Sequence, residues 1–380
     1  MPESSPQGQI PTGHIEKREW TDSEAYPGTT RNFWIYVSAN YDAETPACLM
    51  VFQDGEAYLH EQGQVKAAQV MDTLIHNGEM PATIGIFINP GMLSETESSR
   101  PREYVARGDT YARFLEQEII KQIASEYAIT DDPEGRCICG MSDGGLCAFS
   151  VAWERPDLFH KVITHIASYV RYIDGEMDLT HKVRATRRDP KPLRIFIQDG
   201  DNDLNIEEGN WTLGNIAMAN ALAYGRYDYR FELGTGGHEL KHAGALFAET
   251  LRWIWRDYPG VVTEPNLAAV TGRWRVDANG LGMRSEGELT ISLANDQLTA
   301  TLRDDKEGDI KIRDVHFDGY RLGFDYKTPP SQKLWGKEIS DHMKVWAALS
   351  DDGNGFEGFV SGVIGKETSY DHKIRGARID

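Results

Sequence analysis

The chain has 380 residues and a formal net charge of −19 at pH 7, and this length predicts two domains. The acidic balance disfavours nucleic acid as a partner because it repels phosphate backbones, and 40% apolar residues exclude a largely disordered chain. The polar start at residues 1–19 and the lack of a long apolar run predict neither a signal peptide nor a membrane span. We therefore expect a cytoplasmic protein, or a secreted or periplasmic one from which a signal peptide has been removed.

Residues 1–260 alternate short apolar runs with segments of helical periodicity. The runs are rich in β-branched and aromatic residues and predict buried strands at Asn32–Val37, Cys48–Phe52, Ile84–Ile88, Arg136–Cys139, Val162–Ile166, Leu193–Ile197 and Tyr229–Leu233. Helices are predicted between them at Phe114–Tyr127, Gly145–Trp153, Asn215–Tyr224 and His242–Tyr258. This alternation predicts an α/β domain with a mostly parallel sheet and helices on both faces.

The pattern changes after residue 260, where no long helical period follows. Eight short alternating runs are separated by turn residues, at Gly272–Val276, Glu288–Leu293, Gln297–Leu302, Ile310–Phe317, Tyr320–Tyr326, Met343–Leu349, Gly355–Ser361 and Lys373–Ile379. Such a series is typical of an antiparallel barrel or sandwich. We predict a first domain at 1–260 and a smaller all-β barrel domain at 261–380.

The strongest chemical motif is a G-x-S-x-G pentapeptide at 140–144, with Ser142 at its centre. A predicted buried strand runs directly into it and a predicted helix leaves it. In this strand–turn–helix setting the glycines allow a sharp turn that exposes the serine hydroxyl as a nucleophile. An N-capping serine in an ordinary glycine-rich turn is the structural alternative.

Two later loops supply candidate partners in the chain order Ser, acid, His. The strand at 193–197 is followed by Asp199, Asp201 and Asp203, and the strand at 229–233 is followed by His238. Carboxyl ends of parallel strands meet at one edge of a sheet, so these side chains are expected near Ser142. His238 would take the serine proton, and one of the three carboxylates would orient the ring. The residue types alone do not choose among the three acids.

These features together resemble the enterochelin-esterase and esterase-D branch of the α/β-hydrolases, which includes feruloyl and acetyl-xylan esterases. The matching elements are Phe52-Gln53-Asp54-Gly55, Arg102-Glu103-Tyr104, Gly140–Gly145, Asp199–Asp203, Gly209-Asn210-Trp211, Gly236-Gly237-His238 and Leu251–Trp255. The resemblance selects Asp203 as the acid, because the family's acid ends a Gly-x-Asn-Asp loop. It implies an oxyanion hole built from the backbone N–H of Asp143 and that of Asp54 or Gly55. No cofactor is implied.

The C-terminal domain resembles lipocalin-like barrels, through the Gly272-Arg273-Trp274 opening and Arg378 near the end. Three roles are open for it: binding carbohydrate, covering the active site, or forming a homodimer.

Two metal-binding patterns compete for the same residues. His238 and His242 form an H-E-x-x-H sequence, but zincins hold this pair inside a helix, and the glycine-rich run 234–237 opposes a helix there. The three acids of the 199–203 loop have calcium-loop spacing, but Leu204 stands where the turn needs Gly and Asn210 where the bidentate Glu belongs. We therefore predict no metal.

Four further residues are candidates for contacting substrate. Arg102 and Tyr104 lie in a long loop, and Arg102 would bind a substrate carboxylate or hydroxyl, or pin the loop to Glu103 or another acid. Trp211 would stack on an aromatic or sugar ring, or staple the next helix. His242 would lie near the mouth of the site.

The sequence thus predicts a carboxylic-ester hydrolase with the triad Ser142, Asp203 and His238, acting through an acyl-enzyme. The expected substrate is a small-molecule or carbohydrate ester of the sugar, aromatic (feruloyl or acetyl type) or siderophore class. Two alternatives remain open: a non-catalytic ligand-binding protein on a hydrolase scaffold, and an acyltransferase that uses the same triad.

Overall fold

The computed structural model describes residues 10–171, 173–174, 177–261, 265–280, 283–306, 308–327, 333–334, 337–338, 342–350, 352–364 and 368–379. The chain forms two compact units, Met1–Thr263 and Glu264–Asp380. Each unit is described by itself.

The first unit contains the strands β1 His14–Trp20, β2 Arg31–Val37, β3 Cys48–Gln53, β4 Thr83–Ile88, β5 Arg136–Met141, β6 Lys161–His165, β7 Ile173–Asp174, β8 Met177–Asp178, β9 Arg194–Gly200, β10 Asn205–Ile206, β11 Gly209–Asn210 and β12 Asp228–Gly234. Eight of them form one sheet in the order β1-β2-β4-β3-β5-β6-β9-β12. Pairing is parallel from β4 through to β12, while β1 and β2 are antiparallel. Every residue of β3 and β4 is buried, so both faces of the sheet centre are covered.

The helices of this unit are α1 Gly55–Leu59, α2 Ala67–His76, α3 Arg100–Tyr104, α4 Thr110–Phe114, α5 Lys121–Ala124, α6 Asp143–Glu154, α7 Leu179–Ala185, α8 Trp211–Gly225 and α9 Lys241–Trp255. A π-helical segment, Leu115–Ile120, joins α4 to α5. Short 3₁₀ turns lie at Pro133–Gly135 and Tyr169–Arg171. Across the described ranges, no helix combines the length and apolarity needed to cross a bilayer.

The predicted α/β fold is confirmed, although helices α1, α2, α3 and α7 and the short strands β7, β8, β10 and β11 were not predicted. Two further differences concern the main sheet. Strand β1 was missed because its sequence HIEKREW is polar on both faces, and none of its side chains is buried. It pairs along its whole length with β2, from His14↔Val37 to Trp20↔Arg31. Strand β9 continues three residues beyond the predicted end, so Asp199 lies within the sheet, opposite Leu233 of β12.

The second unit is a closed barrel, as predicted. Its eight strands are β13 Gly272–Gly280, β14 Met283–Ala294, β15 Gln297–Asp304, β16 Gly308–Phe317, β17 Arg321–Lys327, β20 His342–Leu349, β21 Gly355–Ile364 and β22 Thr368–Arg378, with a two-residue pair β18 Lys333–Leu334 and β19 Lys337–Glu338 between β17 and β20. Neighbouring strands are antiparallel, and pairing of β22 with β13 closes the ring. A 3₁₀ turn, Leu267–Val270, precedes it.

Arg378 joins the last strand to the start of the barrel. Its guanidinium lies over the fully buried Trp274 ring, 4.2 Å from the centroid. It donates to the carbonyls of Thr271 (2.5 Å), Ala269 (2.6 Å) and Gly353 (3.0 Å). A planar group with several fixed donors can do this, whereas a lysine ammonium cannot match the geometry. Arg378 therefore binds the residues before β13 and the turn before β21 while it packs on the Trp274 ring.

We expect Arg378→Met to destabilise the barrel by about 2–4 kcal/mol, because three carbonyls lose a charged donor and Trp274 loses its cation. Urea unfolding followed by tryptophan fluorescence measures this as an earlier transition. Arg375→Met is the matched control, since Arg375 lies on the same strand with an exposed side chain bound to Glu357. Equal transitions for the two variants would contradict the role of Arg378.

Candidate active site

Ser142 occupies a strained turn between β5 and α6. Its backbone has φ 54° and ψ −124°, a region that residues other than glycine rarely adopt. A side chain at Gly140 would place its Cβ 2.1 Å from the carbonyl oxygen of Gly144, so the turn closes only around glycine. The motif thus holds the serine at the point where the strand ends and the helix begins.

The loops after β9 and β12 bring an acid and a histidine to this serine. The hydroxyl oxygen of Ser142 lies 2.9 Å from Nε2 of His238, and Nδ1 of His238 lies 2.6 Å from Oδ1 of Asp203. With the ring proton on Nδ1, donated to Asp203, Nε2 is free to accept the serine O–H. The three predicted residues therefore form one continuous chain of hydrogen bonds.

Asp203 is held as a carboxylate although its side chain has no exposed surface. Burial pushes the pKa of Asp203 up, but hydrogen bonds from His238, Asp199 and the Leu204 N–H outweigh it, so the net pKa lies below the usual value. The Leu204 N–H bond to Oδ1 measures 2.6 Å. A charged acceptor beside Nδ1 is what stabilises an imidazolium when it forms.

The two other acids of the loop take different positions. Asp199 is fully buried at the end of β9, and Asp201 is exposed and accepts a hydrogen bond from the Asn202 side chain (2.8 Å). Of these three described carboxylates, that of Asp203 is the one hydrogen-bonded to His238.

Of the predicted oxyanion donors, Asp143 directly follows the serine in sequence, whereas Asp54 and Gly55 follow β3, the strand that pairs with β5. Asp143 is the first residue of the 12-residue helix α6, whose N-terminal N–H groups carry positive partial charge. Asp54 precedes α1 with φ 54° and ψ 45°. Its N–H donates to the hydroxyl of Tyr104 (3.2 Å), whereas Gly55 is the first residue of α1. Of the two alternatives for the second donor, the engaged N–H of Asp54 favours Gly55.

Two arginines, neither assigned to the site by the sequence analysis, connect these loops. Arg100 makes a bidentate pair with Asp54 (2.9 and 2.8 Å) and also reaches Asp143 Oδ2 (3.2 Å). Arg171 pairs with the same Asp143 oxygen at 2.6 Å. Two cations thus balance the two carboxylates that lie next to the predicted oxyanion donors. Neither arginine lies in a recognisable sequence motif, because each pairs with a carboxylate that is distant along the chain.

Ser168 was also missed. Its hydroxyl lies 3.4 Å from that of Ser142 and accepts a hydrogen bond from Nε1 of Trp211 (3.1 Å). The signal available was its position, just after β6, the neighbour of β5 in the sheet. Trp211 itself is buried and meets the His238 ring edge-on, with centroids 6.3 Å apart at 89°.

The other candidates for substrate contact differ in exposure. Arg102 is exposed, and Glu103, one of the acids considered as its partner, is paired with the equally buried Arg31 at 2.7 Å. Tyr104 is fully buried, and its hydroxyl accepts the Asp54 N–H. His242 is half-buried, with Nδ1 3.1 Å from the Gln198 amide nitrogen. Substrate contact by Arg102, Tyr104, Trp211 and His242 stays a prediction.

The H-E-x-x-H sequence does not form a helical pair. Helix α9 begins at Lys241, so His238 lies in the preceding loop and His242 in the first turn of the helix. Within the part of the chain that the structure describes, no three His, Cys, Asp or Glu side chains are grouped to hold a metal ion.

The profile of the Esterase family matches residues 23–254, more than half of the chain. The chain belongs to this family. It is 26% identical over 239 residues to the Iron(III) enterobactin esterase of Dickeya dadantii (strain 3937), covering 59% of this chain and 51% of that protein. The chain therefore spans about half the length of the curated relative that it matches.

Two solved structures share a fold with 64% of this chain. The enterobactin esterase FES of Shigella flexneri superposes with a TM-score of 0.52 at 19% identity, over 64% of this chain and 59% of that chain. A ferulic acid esterase gives a TM-score of 0.51 at 16% identity, over 64% of this chain and 98% of that chain. The family match and the similarity to an enterobactin esterase confirm the esterase branch expected from the sequence motifs.

Proposed function

We propose that the protein is a serine carboxylic-ester hydrolase with Ser142 as nucleophile, His238 as general base and Asp203 as the orienting acid. The observation that carries this proposal is the Ser142–His238–Asp203 chain of hydrogen bonds, at 2.9 and 2.6 Å, on a strained strand-to-helix turn. Membership of the Esterase family supports the reaction class.

The reaction follows from the direction of these hydrogen bonds. The Ser142 oxygen attacks the ester carbonyl carbon while its proton passes to Nε2 of His238, and Asp203 stabilises the resulting imidazolium. His238 then returns the proton to the leaving alcohol as the acyl-enzyme forms. Water attacks the acyl-enzyme with His238 again as base, which releases the acid and restores the Ser142 hydroxyl.

The negative charge on the carbonyl oxygen needs donors that are already in position. The N–H groups of Asp143 and Gly55 are suited to this, since Asp143 begins α6 directly after Ser142 and Gly55 follows β3, the strand paired with β5. Arg100 ties together the side chains of Asp54 and Asp143, the residues on either side of the hole. This clamp fixes the distance between the two donors before substrate arrives.

We propose a carboxylic ester bearing an aromatic group as the substrate class. Two similar proteins support this choice, one named an enterobactin esterase and crystallised with 2,3-dihydroxy-N-benzoyl-glycine, the other named a ferulic acid esterase. Arg100 and Arg171 are already paired with carboxylates, so a neutral ester avoids competing for them.

Labelling with a fluorophosphonate probe tests the nucleophile, because such probes react with serines activated by a neighbouring base. We expect stoichiometric labelling, mapped by peptide mass to Ser142, together with turnover of 4-nitrophenyl acetate. A panel of methyl ferulate, an acetylated xylan and a catecholate trilactone then ranks the substrate classes. A folded sample that neither labels nor turns over any of these esters would support the ligand-binding alternative.

A further inference from the structure

The triad acid has a second carboxyl group against it, that of Asp199. In Asp203, Oδ1 accepts hydrogen bonds from Nδ1 of His238 and from the Leu204 N–H, while Oδ2 is buried. In Asp199, Oδ1 receives the Gly200 N–H at 2.7 Å, and Oδ2 is likewise buried. Among the described residues, neither Oδ2 is reached by an N–H or hydroxyl donor. The interaction between the two carboxyl groups raises the pKa of Asp199 and lowers that of Asp203.

Such an interaction requires a proton between the carboxyl groups. A carboxylate only accepts hydrogen bonds, so two ionised groups would leave both buried oxygens without a donor and facing like charge. One proton on the pair supplies a hydrogen-bond donor between the two groups and removes the repulsion between two negative charges. Asp203 faces the His238 ring, which favours its ionised form, whereas Asp199 lies inside the sheet with no cation beside it in the described structure.

We propose that Asp199 is a positioning residue: it is protonated and donates to Oδ2 of Asp203, so that Oδ1 stays directed at His238. The role in catalysis rests on the proposed function, whereas the shared proton does not. A hydrogen bond to a carboxylate from a protonated acid is among the strong ones, and it restrains the side chain from the face opposite the histidine.

The electrostatics of the surroundings agree with this assignment. Burial, and then the hydrogen bond to Asp203, raise the pKa of Asp199 to about 8. The titratable group facing Asp199 is Asp203, with His238 beyond it. The Gly200 N–H and the Asn215 side chain on α8 act in the opposite direction and lower this pKa, but burial and Asp203 outweigh them. Thr212, also on α8, donates to the Gly200 carbonyl (2.7 Å). On β12 its partner is the apolar Leu233.

Two substitutions at Asp199 test whether the position needs a hydrogen-bond donor or an ionisable group. In Asp199→Asn the amide NH₂ still donates to Asp203, so kcat should stay close to that of the wild type. In Asp199→Leu the donor is lost, and we expect kcat to fall about ten- to a hundredfold with KM little changed. Asp201→Asn, in the exposed part of the same loop, is the matched control and should change neither constant.

The pH profile distinguishes positioning from mere packing. As pH rises through about 8, Asp199 ionises in the wild type, its donor disappears, and kcat should fall. Asp199→Asn does not titrate and should lack this alkaline fall. A folded Asp199→Asn variant that is inactive at every pH, or that keeps the same alkaline fall, would overturn the proposal.

Unfolding measurements test the shared proton without any turnover. Because the folded pKa of Asp199 is raised, the native state binds a proton that the unfolded chain releases between its ordinary pKa near 3.8 and about 8. Its contribution to wild-type stability therefore falls as pH rises across that window. Relative to wild type, Asp199→Asn should gain stability from pH 5 to pH 8 in urea unfolding.

The two readouts separate the two hypotheses. Suppose that the stability difference between Asp199→Asn and the wild type grows with pH, but the protein hydrolyses no ester. The shared proton would then be supported, and its catalytic role would be overturned together with the proposed function. An active esterase whose stability difference is the same at every pH would leave the proposed function standing and overturn the proton on Asp199.

Discussion

Replacing Ser142 with Ala is expected to lower kcat for ester hydrolysis by about 10⁴- to 10⁶-fold. The hydroxyl oxygen is the atom that would bond to the acyl carbon, and no other group can form the acyl-enzyme in its place. The neighbouring Ser168 hydroxyl lies 3.4 Å away and is already bound by Trp211, so it does not replace Ser142 as a nucleophile. The residual rate would come from the oxyanion donors and substrate binding alone.

The measurement is steady-state hydrolysis of 4-nitrophenyl acetate combined with fluorophosphonate labelling. Ser150→Ala is the matched control, because it removes a buried hydroxyl from the same helix α6 at a position away from the serine turn. Both variants should unfold at similar urea concentrations. If Ser142→Ala retained a tenth or more of the wild-type rate, the serine mechanism would be wrong.

The parts of the site that could be predicted from sequence are those with a local physical requirement. The turn at Ser142 needs glycines at fixed positions, since a Cβ at Gly140 would overlap the backbone of Gly144. His238 follows a predicted strand and a glycine-rich run, so its place at the sheet edge follows from the strand order. In both cases the constraint lies within a few residues of the functional side chain.

The choice among the three acids has no such local signal. Asp199, Asp201 and Asp203 have the same chemistry, and their roles depend on where β9 ends and how the next residues turn. The strand was expected to end at 197, but it continues to Gly200 and carries Asp199 into the sheet. The family resemblance selected Asp203. A loop that shares its sequence with the family is expected to share its backbone conformation, whereas the residue types alone say nothing about that conformation.

Contacts between distant loops were beyond prediction for a related reason. Arg100 meets Asp54 and Asp143, which are 46 and 43 residues away along the chain. An arginine in an acidic protein has many potential partners, and only the folded loops select among them. The polar strand β1 was missed because it is stabilised by pairing with β2 rather than by an apolar face of its own.

Replacing Asp203 with Asn should lower kcat by about 10³- to 10⁴-fold and leave the fold intact. The amide keeps the shape of the carboxylate, but it removes the charge that stabilises the imidazolium, and its NH₂ favours the tautomer with the proton on Nε2 of His238. That tautomer donates toward Ser142 instead of accepting its proton. The 2.6 Å contact between His238 and Asp203 makes the ring sensitive to this change.

The comparison variants for this prediction lie in the same loop. Asp201→Asn removes one exposed charge two residues away and should leave kcat near the wild-type value, while Asp199→Asn should do the same below about pH 8. Rates for all three variants on one ester, across pH 5 to 9, therefore identify the acid. A loss of 10³-fold at position 199 or 201, with Asp203→Asn still active, would move the triad acid to that position. The assignment thus depends on which of three chemically identical substitutions disrupts the hydrogen bond to His238.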